Sequence, residues 1–125
     1  MYHEEVLKHF KNPKNAGKIE NADGIGAIGD PSCGDILRIY IRVIDNYISD
    51  MKFEVYGCPA AIATSSVLTE LAIGKTLDEA WEITDVDILE AIGGLPENKE
   101  HCSNLGAEAL YEAIINYIVN YTSKF

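Results

Sequence analysis

Two runs of alternating apolar and polar residues, separated by a short turn, constrain the fold of this chain most strongly. The first run spans residues 35–44 and the second residues 50–56, and each has an apolar side chain at every second position. This period of two is typical of half-buried strands. Asp45 and Asn46 follow the first run and suit a tight turn, so the sequence predicts an antiparallel hairpin. Its apolar face consists of Leu37, Ile39, Ile41 and Val43 in the first strand and Met51, Phe53 and Val55 in the second.

Helical signals lie on both sides of the hairpin. Apolar residues at helical spacing, a proline at a helix start and a capping-box sequence predict helices over residues 3–10, 60–73, 76–81, 85–92 and 102–121. A glycine-rich stretch before the hairpin has room for one more short strand around Ala27 and Ile28. We therefore predict an α+β fold, in which helices pack on a small antiparallel sheet of about three strands and the C-terminal helix is long.

Length, composition and charge exclude several classes of protein. At 125 residues with 47% hydrophobic content, the chain suits a single domain with one core, which we assign to residues 1–125. Ten Lys and Arg against twenty Asp and Glu give a formal net charge of -10, which disfavours nucleic acid because its phosphates would be repelled. The charge would suit a partner with a basic surface, although a solvated acidic exterior is the commoner reason for it. With no export signal and no apolar stretch near the ~18 residues of a membrane span, we expect a cytoplasmic protein without membrane contact.

Three cysteines carry the strongest functional signal. Their number is odd and no export signal precedes them, which argues against a disulfide framework. Cys33 precedes the first strand of the hairpin, Cys58 follows the second strand, and Cys102 begins the last helix. Structural cysteines more often lie within a strand or helix among aliphatic residues, so three cysteines at the ends of elements favour thiols with a chemical role.

The neighbours of the first two cysteines strengthen this interpretation. Asp35 lies two residues after Cys33, and residues two apart in an extended chain point to the same side, so thiol and carboxylate can face one site. The positive end of the helix that follows Cys58 favours its thiolate. Gly57 beside it permits a tight turn at this junction.

A histidine accompanies the third cysteine. His101 places an imidazole beside Cys102 at the start of the last helix. If the three thiols converge, they supply three soft ligands, and either Asp35 or His101 is a harder candidate for a fourth place. Such a mixed site can open more readily than a four-cysteine site, which suits a carrier that releases its cargo. His3 and His9, on the opening helix, are instead expected to be solvated.

At these residues the chain resembles the IscU/NifU-type family of iron-sulfur cluster assembly scaffolds, and the likeness runs almost from end to end. The three cysteine motifs occur in the family's order with no large insertion between them. The opening helix, its turn and one segment after the second motif are also similar. The matching positions are Tyr2 with residues 9–17, residues 31–35, residues 56–63, residues 74–80 and residues 101–103.

This resemblance implies a scaffold or carrier rather than an enzyme, with the fold described above. A cysteine desulfurase would deliver persulfide sulfur onto Cys102, iron would join it, and a [2Fe-2S] cluster would form for transfer to recipient apoproteins. Cys33, Cys58 and Cys102 would be ligands of the cluster. Asp35 would keep the cluster labile, and His101 would exchange in and out of the metal sphere. The same pocket would hold zinc when iron is absent.

One segment departs from the family pattern. Residues 95–99 keep only the leucine, the first proline and the lysine of a loop that a heat-shock-type chaperone recognises in the family. The departure puts chaperone-assisted transfer by this route in doubt. The retained His101 argues against the zinc-bound sulfur-acceptor branch of the superfamily. The sequence leaves open whether the cluster-bound protein is a monomer or a dimer with a second copy of itself.

Two other interpretations use the same residues. A zinc protein would hold its ion on Cys33, Cys58 and Cys102 together with Asp35 or His101, either structurally or for sulfur relay. A thiol enzyme would use Cys102 as its nucleophile and a histidine as its base. His101 is poorly placed for that role, because neighbouring residues on a helix diverge by about 100°.

Overall fold

The computed structural model describes residues 3–30 and 34–122, and its helices and strands confirm the α+β class. The strands are β1 (Gly24–Asp30), β2 (Asp35–Ile44) and β3 (Tyr47–Tyr56), which form an antiparallel sheet in the order β1-β2-β3. The helices are α1 (Glu4–Lys11), α2 (Pro59–Ala72), α3 (Leu77–Trp81), α4 (Asp85–Ala91) and the long α5 (His101–Thr122), with a 3₁₀ helix at Glu97–Lys99. No helix in this described part is long and apolar enough to cross a membrane.

The predicted hairpin is confirmed, and its turn consists of the two expected residues. Asp45 and Asn46 both have positive φ, 51° and 68°, which is the conformation whose twist matches the flanking strands in a two-residue hairpin turn. The predicted apolar face points into the core, where α2 and α5 cover it. The buried core includes Leu37, Ile39, Ile41, Met51 and Phe53 of the sheet and Val67, Leu68, Leu110 and Ile114 of the helices.

A β-bulge sets the register of the rest of the hairpin. The register shifts between Arg42 and Val43, where Ser49 is the extra residue of β3. The Ser49 hydroxyl donates a 3.2 Å hydrogen bond to the Arg42 carbonyl. Beyond the bulge the pairing continues without a break to Ile36 and Tyr56, at the open end of the hairpin. The strand alternation predicted both strands but not this bulge.

Helix α5 lies directly against β1, and two glycines make this approach possible. A Cβ atom on Gly26 would overlap the carbonyl oxygen of Ala109, and one on Gly24 would overlap that of Ala113. The two glycines therefore allow the backbones of β1 and α5 to come into contact. They also belong to a strand of seven residues, which is longer than the short strand predicted around residues 27 and 28.

Helices α3 and α4 both begin with a capping box. At α3 the Thr76 hydroxyl accepts a 3.1 Å bond from the Glu79 N–H, and the Thr76 N–H donates a 3.0 Å bond to the Glu79 carboxylate, which confirms the predicted box. Thr84 and Asp87 make the same pair of bonds at α4, 3.3 Å and 2.9 Å long. Each box therefore holds a carboxylate at a defined position.

The prediction that His9 is solvated is wrong. Val6 and His9 lie three residues apart on the face of α1 that packs against α2, and His9 is 8% exposed. Its Nδ1 lies 2.7 Å from the Ser66 hydroxyl oxygen, which also accepts a 2.7 Å hydrogen bond from the Lys14 N–H. Burial is tolerated because the polar ring has a partner, and the contact joins α1 and the following turn to α2. His3 is exposed, as predicted.

Replacing Gly26 with alanine should destabilise the protein by about 1–3 kcal/mol, because the new methyl group would overlap the backbone of α5. Urea unfolding followed by circular dichroism measures this free energy. Gly29→Ala is the matched control, since a Cβ atom there has its nearest contact at 3.8 Å. Equal losses in the two variants would contradict the role given to the close contact.

Candidate metal centre

Cys58 lies at the junction between β3 and α2, as predicted. It is the N-cap residue of α2, with extended backbone angles of φ -80° and ψ 169°, and Pro59 follows as the first helical residue. The Cys58 side chain makes no capping hydrogen bond to the helix backbone. The helix therefore holds this sulfur at its positive end without using it as a cap.

Cys102 is the second residue of α5 and is 1% exposed. The buried hydroxyl of Thr64, in α2, donates to the carbonyl oxygens of Ala61 at 3.1 Å and of Cys102 at 3.4 Å. Ala60 and Ala61 also pack against Cys102. These contacts join the start of α5 to the start of α2, so the two helix ends that carry cysteines meet.

Asp35 begins β2 and is 3% exposed, with its carboxylate against the backbone of Gly57. A Cβ atom on Gly57 would lie 2.5 Å from Oδ1 of Asp35. Gly57 is not among the residues with positive φ, so it serves here to leave space for the carboxylate rather than to permit a left-handed turn. The glycine thus brings Asp35 to the same place as Cys58.

The three side chains form a compact triangle. The sulfurs of Cys58 and Cys102 are 3.8 Å apart, and Oδ2 of Asp35 lies 3.9 Å from the first and 3.7 Å from the second. Two sulfurs bound tetrahedrally at about 2.3 Å from a metal are separated by about 3.8 Å. The triangle therefore has the size of one face of a tetrahedral metal site.

The buried carboxylate indicates which charge this site accepts. Asp35 forms no ion pair with another residue of the described part of the chain, where Lys18 pairs with Glu54 and the His9 ring lies 3.4 Å from the Glu70 carboxylate. The thiols of Cys58 and Cys102 donate hydrogen bonds to this carboxylate, and when they lose their protons to bind a metal the buried site gains negative charge that a cation must balance. A metal cation between the three ligand atoms would supply that compensation.

The structure brings together part of the predicted site. Tyr2 and Cys33 lie outside the described residues, and so does the side chain of His101, whose backbone begins α5. The roles of these three residues stay predictions. The predicted site residues that meet are Asp35, Cys58 and Cys102.

Two supporting residues were missed by the sequence interpretation. The sequence alone predicts only a turn at Gly57, although a glycine within a cysteine motif also signals a close approach of other groups. Thr64 lies within the apolar part of a predicted helix and had no local signal, because its partner Cys102 is far away in the sequence.

Comparisons with known proteins agree with one another. The family described as "NifU-like N terminal domain" matches residues 1–124. Two similar proteins come from Archaeoglobus fulgidus and are named iron-sulfur cluster assembly scaffold proteins IscU 1 and IscU 2. Each is 58% identical to this chain over 117 residues, and the match covers 94% of this chain and 76% of the relative. The Aquifex aeolicus scaffold protein IscU is 47% identical over 120 residues, with the same two coverages of 94% and 76%. A crystal structure of a candidate scaffold protein for the SUF system of Fervidobacterium islandicum AW-1 matches with a TM-score of 0.75 and 28% identity, over 90% of this chain and 96% of that one.

Replacing Gly57 with alanine should displace the Asp35 carboxylate and weaken the binding of Co²⁺ by about ten- to a hundredfold, the range typical for loss of a residue that supports a metal ligand. Anaerobic titration, followed by the absorption of thiolate-bound cobalt, measures the affinity. Gly29→Ala is the control, because its Cβ would lie 3.8 Å from the backbone oxygen of Asp35 and would leave the carboxylate in place. Unchanged affinity in a folded Gly57→Ala protein would refute this arrangement.

Proposed function

This chain belongs to the family of NifU-like N-terminal domains, and we propose that residues 1–125 form a single scaffold domain on which an iron-sulfur cluster is assembled. The observation that carries the proposal is the triangle of Asp35, Cys58 and Cys102, which has the size of a tetrahedral face. The names of the similar Archaeoglobus and Aquifex proteins support it, because they describe assembly scaffolds. In this role the chain is a cytoplasmic carrier rather than an enzyme, and the cluster is its cargo.

Assembly would begin with one ferrous ion in the triangle. Three ligand atoms at these separations suit a single metal ion, and the mixture of sulfur and oxygen suits ferrous iron. In the proposed [2Fe-2S] product each iron carries two bridging sulfides, so only two protein ligands remain for each. One member of the triangle would therefore move to the second iron.

The completed cluster would use four protein ligands. Cys33, Cys58 and Cys102 would supply three thiolates, and Asp35 or His101 would take the fourth place. The carboxylate of Asp35 already lies 3.9 Å or less from both sulfurs, which favours it as the resident ligand. His101 would then be the exchanging ligand.

An oxygen ligand would make release of the cluster possible. Carboxylates are harder ligands than thiolates and hold the iron of a cluster less firmly. A cysteine thiolate of a recipient apoprotein could then form its Fe–S bond as the Fe–O bond to Asp35 breaks. The cluster would leave by ligand exchange, one bond at a time.

Sulfur would come from a cysteine desulfurase, with Cys102 as the acceptor. The Cys102 thiolate would attack the outer sulfur of the donor's persulfide, so that a new S–S bond forms on Cys102 and the donor's cysteine leaves as a thiolate. An external electron donor, together with the ferrous iron, would then supply two electrons for each sulfur, which break the S–S bond and release a sulfide to the cluster and a Cys102 thiolate. Cys102 is 1% exposed, whereas Cys58 is half-buried. Transfer to Cys102 would therefore require local opening at the start of α5.

Anaerobic reconstitution with ferrous iron and sulfide tests the scaffold function. The protein should gain visible charge-transfer bands with matching iron and acid-labile sulfide. Cys58→Ser and Cys102→Ser should each lose most of the bound cluster, since a hydroxyl replaces a thiolate, while Tyr56→Phe, which changes no ligand atom, should retain it. A colourless protein that keeps about one zinc per chain and takes up no iron would contradict the proposal and favour the zinc interpretation.

Removal of the oxygen ligand should prolong the life of the bound cluster. In Asp35→Ala no exchangeable oxygen remains at this position, so loss of the cluster to a chelator should be about tenfold slower, a change of roughly 1.4 kcal/mol in the barrier. Asp35→Asn keeps an oxygen there and serves as the control. The decay of visible absorbance measures the lifetime, and an unchanged value for Asp35→Ala would exclude the role given to Asp35.

A further inference from the structure

A groove with an apolar floor and an acidic rim lies between α3, α4 and the end of α2. Its volume is about 540 Å³, within the range of pockets that hold a small ligand or anchoring side chains. Among the candidate metal ligands whose side chains the structure describes, Asp35, Cys58 and Cys102, none lines it. The name floor is used for the apolar part of its lining, Leu71, Ile83 and Ala91, and the name rim for the charged part, Glu79, Glu82, Asp87, Glu90 and Lys75.

Two carboxylates of the rim are held in place by the capping boxes of α3 and α4. Glu79 accepts a hydrogen bond from the Thr76 N–H at 3.0 Å, and Asp87 accepts one from the Thr84 N–H at 2.9 Å. The backbone hydrogen bond from Thr76 lowers the pKa of Glu79, so this carboxylate stays ionised at neutral pH. The rim thus presents negative charge at defined positions.

The remaining rim carboxylates have no internal counter-charge. Neither Glu82 nor Glu90 forms an ion pair with any residue of 3–30 or 34–122, and the exposed Lys75 forms none there either. Four carboxylates against one ammonium group leave the rim negative, on a chain whose formal net charge is -10. A ligand that contacts this rim must bring positive charge.

The wall of the groove is anchored to the long helix. Tyr111 of α5 donates its hydroxyl to the carbonyl of Ile83, and its ring centroid lies 4.9 Å from that of Trp81 in α3. Both contacts hold α3 and the turn after it against α5. The groove is therefore formed before a ligand arrives, which reduces the ordering that binding requires.

We propose that this groove binds a short basic segment of a partner protein, with an apolar side chain on the floor and flanking Lys or Arg side chains against the rim. The rim attracts ammonium and guanidinium groups and repels phosphates, which disfavours nucleic acid and anionic membranes. The apolar floor favours a peptide over a bare metal cation. A second copy of this chain is disfavoured by its own charge of -10. Asp35, Cys58 and Cys102 do not line the groove, so a partner bound in it would not take the place of a metal ion.

Peptide binding to the metal-free protein tests this proposal, with amide chemical shifts of ¹⁵N-labelled protein as the measurement. A short amphipathic peptide of lysine and leucine should shift the amides of residues 71–91. A lysine-serine peptide of the same length and charge should bind at least about tenfold more weakly, because it has no side chain for the apolar floor.

Variants distinguish binding in the groove from general attraction of the peptide to the negative net charge of the protein. Glu82→Gln combined with Glu90→Gln should weaken binding of the lysine-leucine peptide about tenfold. Glu20→Gln combined with Glu112→Gln changes the net charge equally at exposed positions outside the groove, and should change the affinity less than about twofold. Ala91→Phe fills the floor without a change of charge and should abolish the peptide-induced shifts.

Equal weakening by the two glutamate pairs, or equal binding of the lysine-serine peptide, would reveal only general attraction to an acidic protein and overturn the proposal. Self-association through the groove would also overturn it, and would appear as concentration-dependent shifts of residues 71–91 without peptide. No iron or sulfide is present in these experiments. Their failure is therefore distinct from a failure of cluster assembly, which reconstitution tests.

Discussion

The register of the β2–β3 hairpin is the constraint on which the candidate metal centre depends. Its pairing at the open end brings Asp35 level with Gly57, one residue before Cys58. In an antiparallel pair a slip of one residue turns every side chain of a strand to the opposite face. The bulge at Ser49 therefore sets two features together, the burial of the apolar face and the position of the carboxylate.

The starts of α2 and α5 supply the other two side chains of the centre, Cys58 and Cys102. The Thr64 contact and two alanines hold the beginnings of α2 and α5 together, so the two sulfurs lie 3.8 Å apart. Ends of elements have fewer packing contacts than their middles and open more readily. A centre made from one strand end and two helix ends would, as proposed, hold a metal at tetrahedral separations and still exchange a ligand. That combination is what an assembly scaffold requires.

Local sequence patterns predicted the elements but not the long-range contacts that position the site. Period-two alternation predicted the hairpin, and the capping box at Thr76 predicted α3, because each signal lies within a few residues. The bulge, the space beside Gly26 and Gly57, and the burial of His9 depend on residues that are distant in the sequence. His9 in particular is polar on a helix and is buried only because Ser66 of α2 lies opposite it. For the candidate metal centre, the sequence predicted that Asp35, Cys58 and Cys102 could share a site, whereas their separations follow from the packing of the hairpin, α2 and α5.

In the proposed function, Asp35, Cys58 and Cys102 hold one iron at the start of assembly. Anomalous diffraction at the iron absorption edge, from crystals loaded anaerobically with ferrous iron and no sulfide, measures this most directly. We expect an iron peak about 2.3 Å from both sulfurs and about 2.1 Å from an oxygen of the Asp35 carboxylate. An iron peak more than about 4 Å from either sulfur, outside any coordination distance, would contradict it.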